Sequence, residues 1–170
     1  MRRLAFLLLL LPWTTAGAQA GPPPVVAKVD LARYMGTWHE VARFPNRFQR
    51  GCGCTTATYA LRGDGRVTVT NRCTLQGGKA KESRGWAKVA DPVSNAKLKV
   101  TFFWPFFGDY WILDLDPGYQ RVLVGTPDRK YLWILARTPG MAEPELQALT
   151  ARAAALGYDV ARLGRTPACP

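Results

Sequence analysis

Gly36-Thr37-Trp38-His39-Glu40-Val41-Ala42-Arg43-Phe44 decides how the rest of the chain is read. It reads as a strand that a glycine lets the chain enter sharply, with an indole two residues on. Alternation puts Trp38, Glu40, Ala42 and Phe44 on one face and Thr37, His39, Val41 and Arg43 on the other. Both faces mix apolar and polar groups. A strand lying in a dry core has one clean apolar face, whereas one that closes the base of a cup and climbs its wall has neither.

Outward from this strand, the chain predicts more of the same element. Strands follow over 54–62, 66–72, 79–90, 96–104, 109–116, 120–125 and 130–137. They are punctuated by Gly63-Asp64-Gly65, Gly77-Gly78, Asp91-Pro92, Pro105 and Asp116-Pro117-Gly118. With no helix between them, a parallel sheet is excluded and an all-β sandwich or barrel remains. One helix comes afterwards. Pro144, Glu143 and Glu145 suit its first turn, Gly157 ends it, and Leu146, Leu149, Ala153 and Leu156 form a stripe that packs on the outside of the sheet. Tyr158–Leu163 is then an extended piece leading to Cys169.

The inward faces inferred from alternation carry Glu40, Tyr59, Asn71, Trp104, Trp111, Tyr131 and Trp133 besides aliphatic residues. Large rings interspersed with polar groups suit the wall of a cavity for an amphiphilic molecule better than a solid core. An eight-stranded antiparallel up-and-down barrel has an interior of that width. Trp38 and Arg137 also fall on inward faces.

The 170 residues fit one domain. Met1-Arg2-Arg3, the apolar run from Leu4 and Ala18-Gln19-Ala20 describe a signal peptide over residues 1–20, with no cysteine at the cleavage point to take a lipid anchor. The expectation is a periplasmic or secreted protein, with a proline-rich arm of little structure over 21–29 and the barrel domain over 30–170. The net charge of +11 comes from basic residues spread singly, without a dense run. Such an exterior is merely solvated, or it is drawn to an anionic membrane surface; export argues against nucleic acid. Cys52, Cys54, Cys73 and Cys169 are an even set, read as two disulfides with three pairings open. With His39 the single histidine and no Cys-x-x-Cys, neither a metal site nor a cofactor is expected. Nothing in the sequence addresses oligomeric state.

These residues resemble the lipocalins, and most closely their bacterial and apolipoprotein D branch. The resemblance rests on Gly36-Thr37-Trp38, on Gly125-Thr126-Pro127-Asp128-Arg129-Lys130-Tyr131, and on Arg137 closing Leu132-Trp133-Ile134-Leu135-Ala136-Arg137. Thr56-Ala57-Thr58-Tyr59 and Phe102-Phe103-Trp104-Pro105-Phe106 support it. It implies an eight-stranded barrel with the helix outside and a ligand cup open at one end. Gly36, Trp38 and Arg137 would close the other end, the guanidinium lying across the indole. The apolipoprotein D pattern implies Tyr59, Asn71 and Trp133 as ligand contacts, with Phe102, Trp104, Trp111 and Tyr131 beside them. The mouth loops, Phe44–Phe48 and Trp104–Phe107, carry aromatics able to touch a membrane. His39 departs from the tyrosine usual in the family and points outward by parity.

The resemblance also favours Cys54–Cys169 and Cys52–Cys73. Folding about Gly63-Asp64 places Cys54 nearly opposite Cys73, yet a bulge near Cys52-Gly53-Cys54 would satisfy either pairing. By the same resemblance, the expected function is non-catalytic carriage of a lipid or other small hydrophobic ligand, a fatty acid or lysophospholipid for envelope maintenance. The alternatives are an isomerase-type lipocalin, which needs a free cysteine, and a porphyrin or haem carrier, for which no inward histidine offers a ligand.

Overall fold

The computed structural model describes residues 21–75 and 77–169; the signal peptide expected over 1–20 lies outside them. Eight antiparallel strands form the wall: β1 (Gly36–Arg43), β2 (Cys52–Leu61), β3 (Val67–Leu75), β4 (Ala80–Val89), β5 (Lys97–Phe103), β6 (Phe106–Leu115), β7 (Arg121–Gly125) and β8 (Leu132–Ala136). Each pairs with the next, and β8 pairs with β1, so the sheet closes on itself. Closure removes the unpaired edges that an open sheet would present.

β1 is long enough to need three partners. Gly36–His39 pairs with β2, and once β2 veers away a two-residue strand, β9 (Gly164–Arg165), takes Ala42 and Arg43. The extended piece expected at Tyr158–Leu163 is instead interrupted by a 3-10 turn at Val160–Arg162, and pairing resumes beyond it. The helix α2 (Glu143–Ala155) follows α1, a single turn (Leu31–Tyr34) capped by Asp30, whose Oδ1 accepts from the Ala32 and Arg33 amides at 2.9 and 3.2 Å. Leu146, Ala153 and Leu156 bury the α2 stripe against Phe44, Leu113, Leu123, Leu132 and Ile134 on the outer face of the barrel. The proline-rich arm is more ordered than expected. Pro23 and Val29 are fully buried, and the Val26 and Val29 amides donate to Ile112 O and Ser94 O.

Two bulges correct the facing inferred from strict alternation. Between Glu40 and Ala42 the register of β1 against β8 slips, so Ala42 and Phe44 turn outward under α2 while Arg43 pairs with inward Trp133. A second slip lies between Ile112 and Asp114. Tyr110 pairs with inward Leu98, hence Tyr110 and Ile112 face the interior; Trp111 and Leu113 pack in the outer cluster, and Leu115 regains the interior past the bulge. Trp111, expected in the cup, instead lies outside with the Lys97 ammonium 4.6 Å over its ring. The error came from carrying the phase of Leu115 backwards through an inserted residue.

Candidate functional site

The direction of β1 sets the two ends of the barrel. Gly36 and Trp38 lie at one end, and alternate connections (44–51, around 77–79, 104–105 and 126–131) gather at the other. At the first end Trp38 is fully buried and its Nε1 donates to Tyr34 O at 2.9 Å. The Arg137 guanidinium lies 3.9 Å over the indole and donates to Thr37 O, Tyr119 O, Arg33 O and Tyr34 O. Gly36 has φ +96°, and a Cβ there would meet Arg137 Nη1 at 3.2 Å. This is a plug in which side chains finish the backbone hydrogen bonding of the base.

Above the plug the interior is solid. Val67, Val69, Ala87, Leu98, Ile112, Val122, Val124 and Leu135 are buried around Trp38. Tyr34 Oη and Tyr59 Oη each hydrogen-bond Tyr110 Oη, at 2.7 and 3.0 Å. Burial drives all three phenols well above the usual tyrosine pKa, so they are neutral donors and acceptors at physiological pH. Tyr59, expected as a ligand contact, thus belongs to a buried phenol cluster above the plug. Alternation had hidden Tyr110, its partner, behind the phase error on β6.

The open half is different. Asn71, Val100, Phe102 and Trp133 face inward but are only half-buried. From Val69, level with Tyr59, to Leu75 at the rim β3 rises about 20 Å along its length, or about 15 Å along the axis once strand tilt is allowed for. On β4, Gly85 takes the Phe102 ring against its bare Cα, where an added Cβ would meet the ring at 2.8 Å, and Ser83 pairs with Asn71. Tyr131 stacks on Trp133 with ring centroids 5.9 Å apart and meets Phe48 of the first mouth loop at 5.7 Å. Trp104 does not join them. It sits on the turn between β5 and β6, exposed with Phe103 and Phe106 at 76–81%, because β5 ends at Phe103.

A buried polar cluster connects the inner wall at Trp133 to the first mouth loop. Glu40, 4% exposed, accepts from Arg43, from Gln49 Nε2 and from Thr166 Oγ1. Gln49 Oε1 accepts from Trp133 Nε1 at 2.9 Å and from Asn46 Nδ2 at 2.7 Å. Gln49, on a 3-10 turn (Arg47–Gln49), therefore ties the loop to the inner wall. Motif reading missed this residue, since a lone glutamine in a loop carries no signal. Outside the cluster the loop folds around a cleft of about 440 Å³ lined by Arg43, Pro45, Asn46, Arg47, Gln49, Arg50 and Gly51. A second cleft of about 410 Å³ lies on the outer surface between α2 and Val160–Arg165.

Both disulfides brace the open end. Cys52 bridges Cys73, and Cys54 bridges Cys169. The register slip between Cys52 and Thr55 brings Thr55, not Cys54, opposite Cys73, which frees Cys54 for the C-terminal tail. No free cysteine remains among the described residues, which removes the nucleophile an isomerase-type mechanism requires. The described residues also hold no cluster of three metal-ligating side chains.

Residues 29–168 match the Lipocalin-like domain family. The chain is 47% identical over 152 residues to temperature-induced lipocalin-1 of Arabidopsis thaliana, covering 84% of this chain and 81% of that protein. It is 45% identical over 139 residues to outer membrane lipoprotein Blc of Escherichia coli (strain K12), covering 81% and 78%. To apolipoprotein D of Mus musculus it is 30% identical over 152 residues, covering 85% and 79%. Among solved structures, insecticyanin from the tobacco hornworm Manduca sexta superposes with a TM-score of 0.70 at 19% identity, covering 90% of this chain and 87% of that one. The barrel, its Arg137–Trp38 plug and these identities agree: the chain belongs to the lipocalin family, in the branch that holds Blc and apolipoprotein D.

Proposed function

We propose that the protein is a non-catalytic carrier of a single-chain lipid, a fatty acid or lysophospholipid, held in the open half of the barrel and used in maintaining a cell envelope outside the cytosol. The observation that carries this reading is the change of character halfway up the interior. A closed aliphatic core gives way to half-buried Asn71, Phe102 and Trp133 beneath a stacked Tyr131. Each acyl methylene covered there contributes about 0.8 kcal/mol, less the cost of ordering the chain. Asn71 and the phenols at the floor supply the few polar groups that fix orientation. Two disulfides suit an oxidising compartment.

Exposed Phe103, Trp104 and Phe106, with Phe48 on another loop of the same end, favour delivery by contact between the open end and a membrane; the net charge of +11 would draw the protein toward an anionic one. Titration with palmitate and with a palmitoyl lysophospholipid, followed by tryptophan fluorescence, tests the carrier reading. Saturable quenching is expected, weakened about tenfold (about 1.4 kcal/mol) in Trp133→Ala. No saturable change with either lipid, or equal affinity in Trp133→Ala, would overturn it.

A further inference from the structure

We infer that the cleft of the first mouth loop is an anion seat, taking the phosphate or carboxylate of an amphiphile whose chain lies in the barrel. The inference rests on the carrier reading above and adds to it where the charged end goes. Three arginines, Arg43, Arg47 and Arg50, line the cleft, and no acidic residue does. Arg43 is already engaged, donating to Glu40, to Thr166 Oγ1 at 3.1 Å and to Cys52 O at 2.9 Å, so it contributes little free charge. Arg47 and Arg50 are different. Neither pairs with a carboxylate nor donates a side-chain hydrogen bond among the described residues, whereas Arg62, Arg66, Arg72, Arg84, Arg121, Arg152 and Arg165 pair with carboxylates and Arg33, Arg129, Arg137 and Arg162 donate to backbone carbonyls. Arg47 stacks over Phe48 at 5.1 Å, which holds the guanidinium at the rim with its N–H groups unspent. Guanidinium forks match the paired oxygens of phosphate and carboxylate.

Continuity with the barrel is the second observation. Gln49 is at once a wall of the cleft and the acceptor for Trp133 Nε1. A chain lying along Trp133 therefore leaves the interior beside Gln49, next in sequence to Arg50 and two residues from Arg47. Asn46 adds an amide to the same wall, and the Glu40 carboxylate, buried and already bonded by three partners, does not line the cleft. An acidic head fits this seat; a neutral head would leave the two cations in water, as they are without cargo.

The test uses the full mature chain and lipids of one acyl length. Palmitoyl lysophosphatidic acid and palmitate are compared with monopalmitoylglycerol, in wild type and in an Arg47→Gln, Arg50→Gln double variant, with Trp133 quenching as readout and inorganic phosphate as competitor. Expected is an about tenfold preference for the two anionic lipids in wild type, falling with added salt and abolished in the double variant, while monopalmitoylglycerol binds both proteins alike. Equal affinity for anionic and neutral lipids in wild type, or a preference that survives in the double variant, overturns the seat. Failure of all three lipids to bind overturns the carrier reading, and the seat with it as a lipid-head site. Displacement of lysophosphatidic acid by millimolar phosphate, lost in the double variant, assigns the seat to free anions as well; no displacement assigns it to the lipid head alone.

Discussion

The Arg137 guanidinium lies 3.9 Å over the Trp38 ring and donates to four backbone carbonyls around the base of the barrel. The contact is at once a cation over a ring and a set of charged hydrogen bonds to carbonyls at the base. Arg137→Ala removes both and should destabilise by about 3 kcal/mol, summing a shielded cation–π contact and charged hydrogen bonds left unmade. Arg137→Lys keeps the charge without the fork and should recover less than half, because three donors on one nitrogen cannot span Thr37, Tyr119 and Arg33 together. Urea unfolding with the disulfides intact measures both; equal stability of the two variants would mean that charge alone matters.

Gln49 should behave as a latch. Its amide joins the buried Glu40 carboxylate to the Trp133 indole across the mouth. Gln49→Ala strips one partner from each and should cost about 1–2 kcal/mol. The diagnostic readout is local: Trp133 emission moves to the red as water reaches the indole, and hydrogen exchange speeds up over 44–51 but not at the base. Unchanged emission would place Trp133 outside the loop's control.

The two disulfides should differ in weight because they close loops of different length, 115 and 21 residues. In the chain-entropy account, removing Cys54–Cys169 costs about 5 kcal/mol and removing Cys52–Cys73 about 3 kcal/mol. Paired Cys→Ala variants compared by denaturant midpoint check the order. A larger loss from the shorter loop would show that native-state packing at the rim, not unfolded-chain entropy, sets their value.

Alternation and turn residues carried most of the fold because they act locally. Gly63-Asp64-Gly65 turns the chain where expected, and Ala57, Tyr59, Val67, Val69, Leu98, Val100, Trp133 and Leu135 face the interior as their strand parity implies. What failed was phase across a bulge. Trp111 and Tyr110 are both aromatic, so nothing in composition says which one enters the barrel, and the slip at Ile112–Asp114 is fixed only by pairing with β7. The site was legible in its rings and illegible in its connections. Trp133 and Asn71 stand on regular strands, whereas Gln49, Arg47 and Arg50 draw their meaning from a loop whose shape depends on Glu40 and Thr166, 126 residues apart.

Alkaline pH should unfold the barrel from the inside. Burial holds Tyr34, Tyr59, Tyr110 and Tyr158 above the ordinary tyrosine pKa of about 10. Below about pH 10 these phenols are protonated in both folded and unfolded chains, and their contribution to stability is fully present. As pH rises past that value the unfolded chain releases its phenolic protons first, so the folded state loses ground steadily until its own tyrosines titrate. Thermal midpoints should therefore be flat from pH 8 to about 9.5 and fall above about pH 10. Phenolate absorbance from these four residues should appear together with loss of near-ultraviolet circular dichroism. Replacing Tyr110 by Phe removes the hydroxyl that both Tyr34 and Tyr59 bond, and should make the alkaline decline shallower while lowering stability at neutral pH by about 1–2 kcal/mol. Smooth titration of all tyrosines in the still-folded protein near pH 10 would show instead that water reaches the floor of the cup.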